Sequence, residues 1–172
     1  VRDVAALPEV PDLAVVCTPA ATVPGLIEAL GRKGTRAAVV LSAGLSAAKT
    51  KDGRTLQQAM LDAARPYLLR VLGPNCLGLL VPGAKLNASF AQANALPGQL
   101  AFVSQSGALA TAMLDWANSR GIGFSHYVSL GDSALFRWGG TSRGGRTQSV
   151  KLNSGDVLVM GGEARLCFHG ID

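Results

Sequence analysis

Cysteine, histidine and aromatic residues are all scarce in this sequence, and their scarcity excludes several classes of protein. The 172 residues include three cysteines and two histidines, and aromatic residues make up 5% of the chain. Cys17, Cys76 and Cys167 are odd in number and widely spaced, so they form neither a disulfide framework nor a C-x-x-C metal motif. The histidines occur in no H-x-D or H-E-x-x-H pattern, which argues against common histidine metal sites.

Long apolar runs are also absent. No uninterrupted run approaches the roughly 20 residues of a membrane span. The N-terminus VRDVAALPEV lacks the charged-then-apolar order of a signal peptide. We therefore predict a cytoplasmic protein without membrane partners.

Charge is sparse and mildly basic. Charged residues make up 16% of the chain, and 16 basic residues against 11 acidic ones give a formal net charge of +5. The basic residues are spread along the chain and form no cluster interleaved with aromatic residues, so nucleic acid is not favoured as a partner. With 48% hydrophobic residues, the chain can bury a substantial core and is expected to be globular.

Short apolar runs alternate with helical periodicity in the first part of the chain, which is the pattern of a parallel sheet covered by helices. Leu13 to Cys17, Ala37 to Leu41 and Tyr67 to Leu72 are predicted as strands. Helices are predicted between them, the first ending before Gly31 and the second ending at Pro66.

A second unit restarts this pattern after a stretch rich in glycine, proline and asparagine. Leu100 to Val103 is predicted as a strand, and Ser125 to Leu130 as the next parallel strand. The helix between them is predicted to bury one apolar face, made of Leu109, Ala112, Met113, Trp116 and Ala117. Beyond Ala134, short apolar pieces separated by glycine-rich turns predict antiparallel hairpins.

Three loops are predicted at the carboxyl ends of the first strands, where open α/β sheets bind ligands. The small residues of Thr18 to Ala20 and of Leu41 to Gly44 leave room for an adenine or a ribose, although they are also ordinary loop residues. In the third loop, Asn75 could bond a ligand amide while Gly73 and Gly78 permit close backbone approach. The alternative is a plain turn with Cys76 as a small buried residue.

Ser104, Gln105, Ser106 and Gly107 lie between a predicted strand and a predicted helix, where free backbone N–H groups and the helix dipole favour an anion. Gly107 permits the close approach of a phosphate, and the hydroxyls of Ser104 and Ser106 could add donors. The alternative is that Ser106 only caps the helix.

Taken together, these segments resemble the CoA-ligase region of NDP-forming acyl-CoA synthetases, a group that includes the succinyl-CoA synthetase α-subunit and acetyltransferases fused to a GNAT domain. The resemblance covers residues 1 to about 134. It depends on VVCTPAATV, AVVLSAGLS, LGPNCLGLLVP and AFVSQSGALATAMLDWA, which occur in the family's order and spacing.

This resemblance implies an α/β fold: a partial Rossmann-like CoA-binding unit, then a flavodoxin-like parallel-sheet unit, with an all-β hairpin tail. The implied boundaries are residues 1–80 for the CoA-binding part, 81–97 for a linker, 98–134 for the start of the flavodoxin-like domain and 135–172 for the tail.

The resemblance also implies binding roles. The residues that border coenzyme A would be Pro19, Ala20, Leu41, Ser42 and Ala43, with Asn75 near the thiol end. Ser106 and Gly107, with Ser104 beside them, would cradle a phosphoryl group carried by a phosphohistidine. No catalytic residue is assigned, because the family's phosphohistidine lies downstream of VSQSG and His126 does not match it.

The implied function is that of a fragment of an NDP-forming acyl-CoA synthetase or of a GNAT-fused relative. The family joins a small carboxylic acid to CoA through an acyl phosphate, using ATP or GTP bound by an ATP-grasp subunit or domain. We expect this chain to be inactive alone. A non-catalytic module that binds CoA or another subunit is an alternative.

The tail resembles a different family. Residues after about 128, and SGDVLVMGGEARLCFHG above all, are similar to AlkB-type Fe(II)/2-oxoglutarate dioxygenases, which dealkylate nucleic acids. His169 would match the second iron-ligating histidine, but the earlier H-x-D ligands and the later arginine-rich strand have no counterpart. Both resemblances fit Ser129 to Ala134, and we hypothesise that two unrelated coding sequences join there, by recombination or by assembly of mixed DNA.

Overall fold

The computed structural model describes residues 3–131, 134–141, 144–152, 156–162 and 167–171. The chain divides into two compact units, residues 1–76 and residues 77–172. Within the described residues, no helix combines the length and the apolar character needed to cross a membrane.

The first unit is a three-stranded parallel sheet with helices between consecutive strands. Its strands lie in the order β1-β2-β3. The elements are β1 Leu13–Val16, α1 Val23–Lys33, β2 Ala37–Val40, α2 Leu56–Ala64 and β3 Arg70–Leu72.

Burial in the first unit follows the predicted periodicities. Both helices bury one face against the sheet, and Ile27 and Met60 are fully buried there with Val40. Helix α1 continues through Gly31, which the sequence places beyond its end, and stops at the left-handed Gly34. Strand β3 is shorter than predicted, because residues 65–67 form a 3₁₀ turn.

The second unit contains a mixed sheet in the order β10-β6-β7-β4-β5, in which only β6 and β7 run parallel. A separate antiparallel sheet has the order β11-β8-β9. The elements are β4 Gly78–Val81, β5 Leu86–Ser89, β6 Pro97–Ser104, α3 Gly107–Ser119, β7 Phe124–Ser129, β8 Ala134–Trp138, β9 Gln148–Leu152, β10 Val157–Met160 and β11 His169–Ile171.

The stretch 81–97, predicted as a linker, instead includes a strand of this mixed sheet. β4 and β5 form an antiparallel hairpin, and β4 also pairs with β7. Gly78 lies in this hairpin, where a Cβ would stand 2.3 Å from the carbonyl oxygen of Ala88. Its lack of a side chain therefore serves strand pairing, and its role in ligand approach stays a prediction.

Helix α3 is rotated relative to the sequence prediction. It buries Ala110, Leu114 and Ala117. Leu109 and Trp116, predicted to be buried, are 39% and 48% exposed. The helix is apolar on both sides, so its periodicity shows which residues share a face but not which face meets the sheet.

The core of the second unit centres on Tyr127. Its ring stacks on Phe102 at 4.5 Å and meets Phe124 edge-on at 4.8 Å. Its hydroxyl donates a hydrogen bond of 2.5 Å to the carbonyl oxygen of Ala110 in α3. Burial raises the pKa of this phenol well above its ordinary value, and the charge of Asp115 adds to the shift.

We expect Tyr127→Phe to lower the free energy of unfolding by about 1 kcal/mol at neutral pH, because a buried hydrogen bond is lost. The folded protein favours the neutral phenol, so this group's contribution to stability is complete below about pH 10 and is lost as the pH rises further. The variant should therefore lose less stability than the parent between pH 9 and 11. Urea denaturation across this range measures both effects. Tyr67→Phe, at an exposed tyrosine, is the matched control; equal losses in the two variants would contradict the expectation.

Candidate functional site

The three predicted loops of the first unit lie at one edge of its sheet. Because β1, β2 and β3 are parallel and adjacent, their carboxyl ends coincide. The edge carries all six residues expected to border coenzyme A: Pro19, Ala20, Leu41, Ser42, Ala43 and Asn75.

Ser42 connects these loops to one another. Its hydroxyl donates a 2.5 Å hydrogen bond to the carbonyl oxygen of Thr18 after β1. Its own carbonyl oxygen accepts a 3.0 Å hydrogen bond from the backbone N–H of Asn75 after β3. One half-buried serine therefore fixes the spacing of all three loops.

The first loop is closed by Thr22, which returns to the residues after β1. Its hydroxyl donates to the carbonyl oxygen of Pro19 at 2.8 Å, and its backbone N–H bonds the same oxygen at 2.9 Å. Pro19 is thereby held exposed, with Ala20 half-buried behind it. Small side chains therefore border the site at this loop, which the Thr22 hydrogen bonds hold closed.

The third loop approaches β2 closely. Gly73 has a φ of +98°, and a Cβ there would stand 2.3 Å from the carbonyl oxygen of Val40. Asn75 also has a positive φ, of +57°, and is exposed. Asparagine tolerates this left-handed conformation better than most residues, so the backbone turns while the amide remains available to a ligand.

Cys76 does not face the site. It is 2% exposed, and its thiol donates to the carbonyl oxygen of Val40 at 3.4 Å. It is thus the small buried residue of the alternative interpretation.

The long loop that follows Ser42 is braced by an ionic network near its far end. Arg54 pairs with Asp52 and with Asp62, each at 2.8 Å. A hydrogen bond from Thr50, together with Arg54, lowers the pKa of Asp52; a hydrogen bond from Gln58, together with Arg54, lowers the pKa of Asp62. These groups are exposed, so they order the loop more than they stabilise the fold.

The second candidate site is the turn between β6 and α3. Ser106 is the N-cap of α3, and its hydroxyl oxygen accepts a hydrogen bond from the backbone N–H of Leu109 at 3.2 Å. This bond leaves the hydroxyl hydrogen of Ser106 for another acceptor. A Cβ at Gly107 would have nothing within 4 Å, so the space beside this residue is open.

Ser104 lies beneath this turn. It is fully buried, accepts from the N–H of Ser106 at 3.1 Å and donates to the carbonyl oxygen of Ser106 at 3.2 Å. Its hydroxyl shapes the loop, and the predicted role as a donor to a bound anion is not supported by this geometry.

No role of its own is predicted from the sequence for Gln105, yet this residue is 4% exposed and its side chain holds the turn in place. Its side-chain amide donates to the carbonyl oxygen of Leu152 at 2.6 Å, and its backbone N–H donates to that of Asp156 at 3.1 Å. Both partners lie far along the chain, so sequence spacing offers no signal for this role.

Neither histidine is placed at this turn by the described residues. His126 is in the middle of β7, in register with Ala101, three residues from the level of Ser104 and therefore about 10 Å along the strand. The backbone of His169 forms the start of β11, but its side chain lies outside the described residues.

The described residues do not fit an iron centre. No group of three histidine, cysteine, aspartate or glutamate side chains among them is arranged to hold a metal ion. A facial triad needs two histidines and a carboxylate, and the chain has no second histidine near His169 in sequence. We therefore derive no dioxygenase step for this chain.

Three regions of the chain match known protein families. Residues 1–82 match the CoA binding domain, and residues 97–140 match the succinyl-CoA ligase like flavodoxin domain. Residues 127–172 match the 2OG-Fe(II) oxygenase superfamily. The chain is thus similar to a CoA binding domain in its first part, to a succinyl-CoA ligase like domain in its middle part and to 2OG-Fe(II) oxygenases in its tail.

More narrowly, the first three quarters are homologous to ADP-forming acetate–CoA ligases. The chain is 41% identical over 129 residues to acetate–CoA ligase I of Archaeoglobus fulgidus, covering 75% of this chain and 19% of that relative. It is 39% identical over 133 residues to the α subunit of acetate–CoA ligase I of Pyrococcus furiosus, covering 77% and 29%. The chain therefore spans under a third of the length of these relatives.

Solved structures give the same result. PH0766 from Pyrococcus horikoshii matches with a TM-score of 0.69 and 32% identity, over 76% of this chain and 30% of that one. The apo dinucleotide forming acetyl-coenzyme A synthetase 1 of Candidatus Korarchaeum cryptofilum matches with a TM-score of 0.68 and 37% identity, over 76% and 28%. The α/β fold expected from the sequence is confirmed.

The tail has its own relative. It is 56% identical over 45 residues to an alpha-ketoglutarate-dependent dioxygenase AlkB homolog of Caulobacter vibrioides, which is 26% of this chain and 20% of that protein. The ligase-like and oxygenase-like family matches overlap at residues 127–140. The predicted overlap at Ser129 to Ala134 falls inside this range.

We expect Gly73→Ala to destabilise the first unit far more than Gly44→Ala. Both glycines have a positive φ, but a Cβ at Gly44 meets nothing within 4 Å. Gly44→Ala should cost about 1 kcal/mol from backbone strain alone. Gly73→Ala should cost at least ~3 kcal/mol, because a steric overlap adds to the strain. Urea denaturation followed by circular dichroism measures the difference; similar costs would show that the third loop does not depend on its approach to β2.

Proposed function

We propose that this chain is the CoA-binding and phosphoryl-handling part of an NDP-forming acyl-CoA ligase. In that reaction a small carboxylic acid, CoA and ATP or GTP give acyl-CoA, NDP and phosphate. The observation that carries the proposal is the joining of three loops by Ser42 at the carboxyl edge of a sheet that matches the CoA binding domain.

In this proposal the first unit holds coenzyme A along its three loops. Pro19, Ala20 and Ala43 present little side-chain bulk, so a flat adenine or a ribose can lie against the backbone. The exposed amide of Asn75 offers a donor and an acceptor to the amide-containing arm that ends in the thiol. Ser42 acts as a positioning residue, because its bonds set the distance between these contacts.

The turn before α3 holds a phosphoryl group. The first N–H groups of a helix lack acceptors within the helix, and its dipole favours a negative charge there. Gly107 provides open space and Ser106 a hydroxyl hydrogen. In the family reaction the acyl phosphate is attacked by the CoA thiolate: the new carbon–sulfur bond forms, the carbon–oxygen bond to phosphate breaks, and phosphate leaves.

The nucleotide would be supplied through an ATP-grasp subunit or domain. In this proposal, nucleotide binding belongs to that partner and not to this chain. Phosphate incorporation from ATP in the presence of such a partner distinguishes a ligase part from a non-catalytic module that only binds CoA.

We expect the chain to bind CoA, and Ser42→Ala and Asn75→Ala each to weaken that binding by about tenfold, or ~1.4 kcal/mol. Isothermal titration with CoA measures the dissociation constants. Ser46→Ala, on the same loop and exposed, and Asn87→Ala, in the second unit, are matched controls. Equal affinity in all four variants would contradict the placement of the CoA site.

We expect Ser106→Asp to abolish binding of acetyl phosphate while preserving α3, since aspartate caps helices as well as serine does but places a negative charge at the anion site. Ser106→Asn is the neutral matched control and should bind within about threefold of the parent. Amide chemical shifts of Gly107 and Ala108 report the binding. Equal binding by both variants would place the anion elsewhere.

A further inference from the structure

The three loops that border the candidate CoA site contain no basic residue. They comprise residues 18–20, 41–44 and 73–76. CoA carries a diphosphate and a 3′-phosphate, and proteins bind such groups with positively charged side chains or with free backbone N–H groups. Any positive charge that the described part of this unit offers to the phosphates therefore comes from elements next to the loops.

The fold sorts the basic side chains of residues 3–76 into two sets. The helices run antiparallel to the strands, so each helix ends at the amino edge of the sheet and begins at the carboxyl edge. One set lies at the amino edge, where α1 and α2 end and β2 and β3 begin: Arg32, Lys33, Arg36, Arg65 and Arg70. The other set lies in the loop from β2 to α2, on the side of the candidate site: Lys49, Lys51 and Arg54.

Two of the three cations on the side of the site are free. Arg54 is already paired with Asp52 and with Asp62, each at 2.8 Å. Lys49 and Lys51 are exposed, and their side chains make no hydrogen bond or ion pair with the residues that the structure describes. These two ammonium groups are thus available to an anion from outside the chain.

The backbone holds Lys49 close to the second loop. The N–H of Ala48 donates to the carbonyl oxygen of Gly44 at 3.0 Å, which is the bond of one helical turn. Such a bond joins residues whose Cα atoms are about 6 Å apart, so the Cα of Lys49 lies within about 10 Å of that of Gly44. Leu45, fully buried in the core, anchors this turn. The four-carbon stem of Lys49 can therefore carry its ammonium group to a ligand that lies over Ala43.

Lys51 lies in a tight hairpin that continues from Lys49. Lys49 and Thr55 form an antiparallel bridge, and the N–H of Thr50 donates to the carbonyl oxygen of Arg54 at 2.8 Å. Both lysines are therefore presented from a backbone that is already ordered, which lowers the entropic cost of binding an anion.

The start of α2, which follows this hairpin, does not offer free N–H groups to a phosphate. The N–H groups of Leu56 and Gln57 donate to carbonyl oxygens of the preceding loop at 2.9 and 3.0 Å. The N–H of Gln58 donates to the hydroxyl oxygen of Thr55 at 3.1 Å. Because these donors are used, an anion at this place would be bound by the lysine side chains.

We propose that Lys49 and Lys51 bind a phosphate group of CoA, so that residues 49–55 select the ligand by its anionic part. The inference rests on the proposed CoA site and adds specificity residues to it. Both lysines act as binding residues through charge, and salt screens an attraction between exposed charges.

Isothermal titration with CoA tests the proposal on the whole chain. Lys49→Gln and Lys51→Gln should each bind CoA at least ~fivefold more weakly than the parent, because a charge-assisted contact is lost. The matched control Arg36→Gln removes the same charge at the amino edge and should bind within about twofold of the parent. Lys49→Arg keeps the charge and should restore most of the affinity. Added NaCl should weaken CoA binding by the parent more than by the Lys49→Gln, Lys51→Gln double variant.

Dephospho-CoA, which lacks the 3′-phosphate, identifies the group that is bound. Lysine variants that lose affinity for CoA alone would assign the 3′-phosphate, and an equal loss for both ligands would assign the diphosphate; each result supports the proposal. If the parent and both lysine variants bind CoA equally, the lysines are not part of the site and the proposal is overturned, while the CoA site stands. If the parent binds no CoA, the CoA site and this inference fail together.

Discussion

The parallel pairing of β2 with both β1 and β3 is the constraint on which the candidate CoA site depends. Parallel neighbours place their carboxyl ends at one edge, so three loops meet there although Thr18 and Asn75, in the first and the third, are 57 residues apart in sequence. Ser42, directly after the central strand, is the residue that can reach both outer loops. Its hydroxyl bonds the first loop and its carbonyl group bonds the third, so hydrogen bonds connect all three loops.

In the second unit, β6 and β7 also pair in parallel, and this pairing supports the turn before α3. The N–H of Leu130 bonds the carbonyl oxygen of Ser104 at 2.8 Å, so the end of β7 supports the turn that begins α3. On the other side, Gln105 bonds the tail. The turn between β6 and α3 is therefore held between the end of β7 and residues of the tail.

Much of the α/β pattern could be predicted from the sequence, because continuous apolar runs closed by proline or glycine define buried parallel strands. β1 and β2 were predicted within one residue for this reason. The three loops at the carboxyl edge were also predicted, since parallel topology alone places them there. Their connection through Ser42 was not, because hydrogen bonds between loops have no sequence periodicity.

The incorrect predictions have particular physical causes. The stretch 81–97 is rich in turn residues, yet Leu86 to Ser89 pairs with β4, because a short antiparallel strand needs only one suitable neighbour. The predicted face of α3 included Ala117 correctly, but the structure buries Ala110 and Leu114 in place of Leu109 and Trp116, because an apolar helix offers more than one face to the sheet. The Ser104 hydroxyl was predicted as a possible donor to a bound anion, but in the structure it bonds the backbone of Ser106 beneath the turn.

The two family matches overlap from the second half of β7 onward. β7 is already paired on both sides, with β6 and with β4, so the chain can leave it without exposing its backbone groups. The outer edge of β6 has no such protection from the residues before Ser129. An open edge beside an apolar core invites pairing with any extended apolar segment. β10, with the sequence VLVM, is such a segment. It pairs with β6 and takes no part in the sheet formed by the other tail strands.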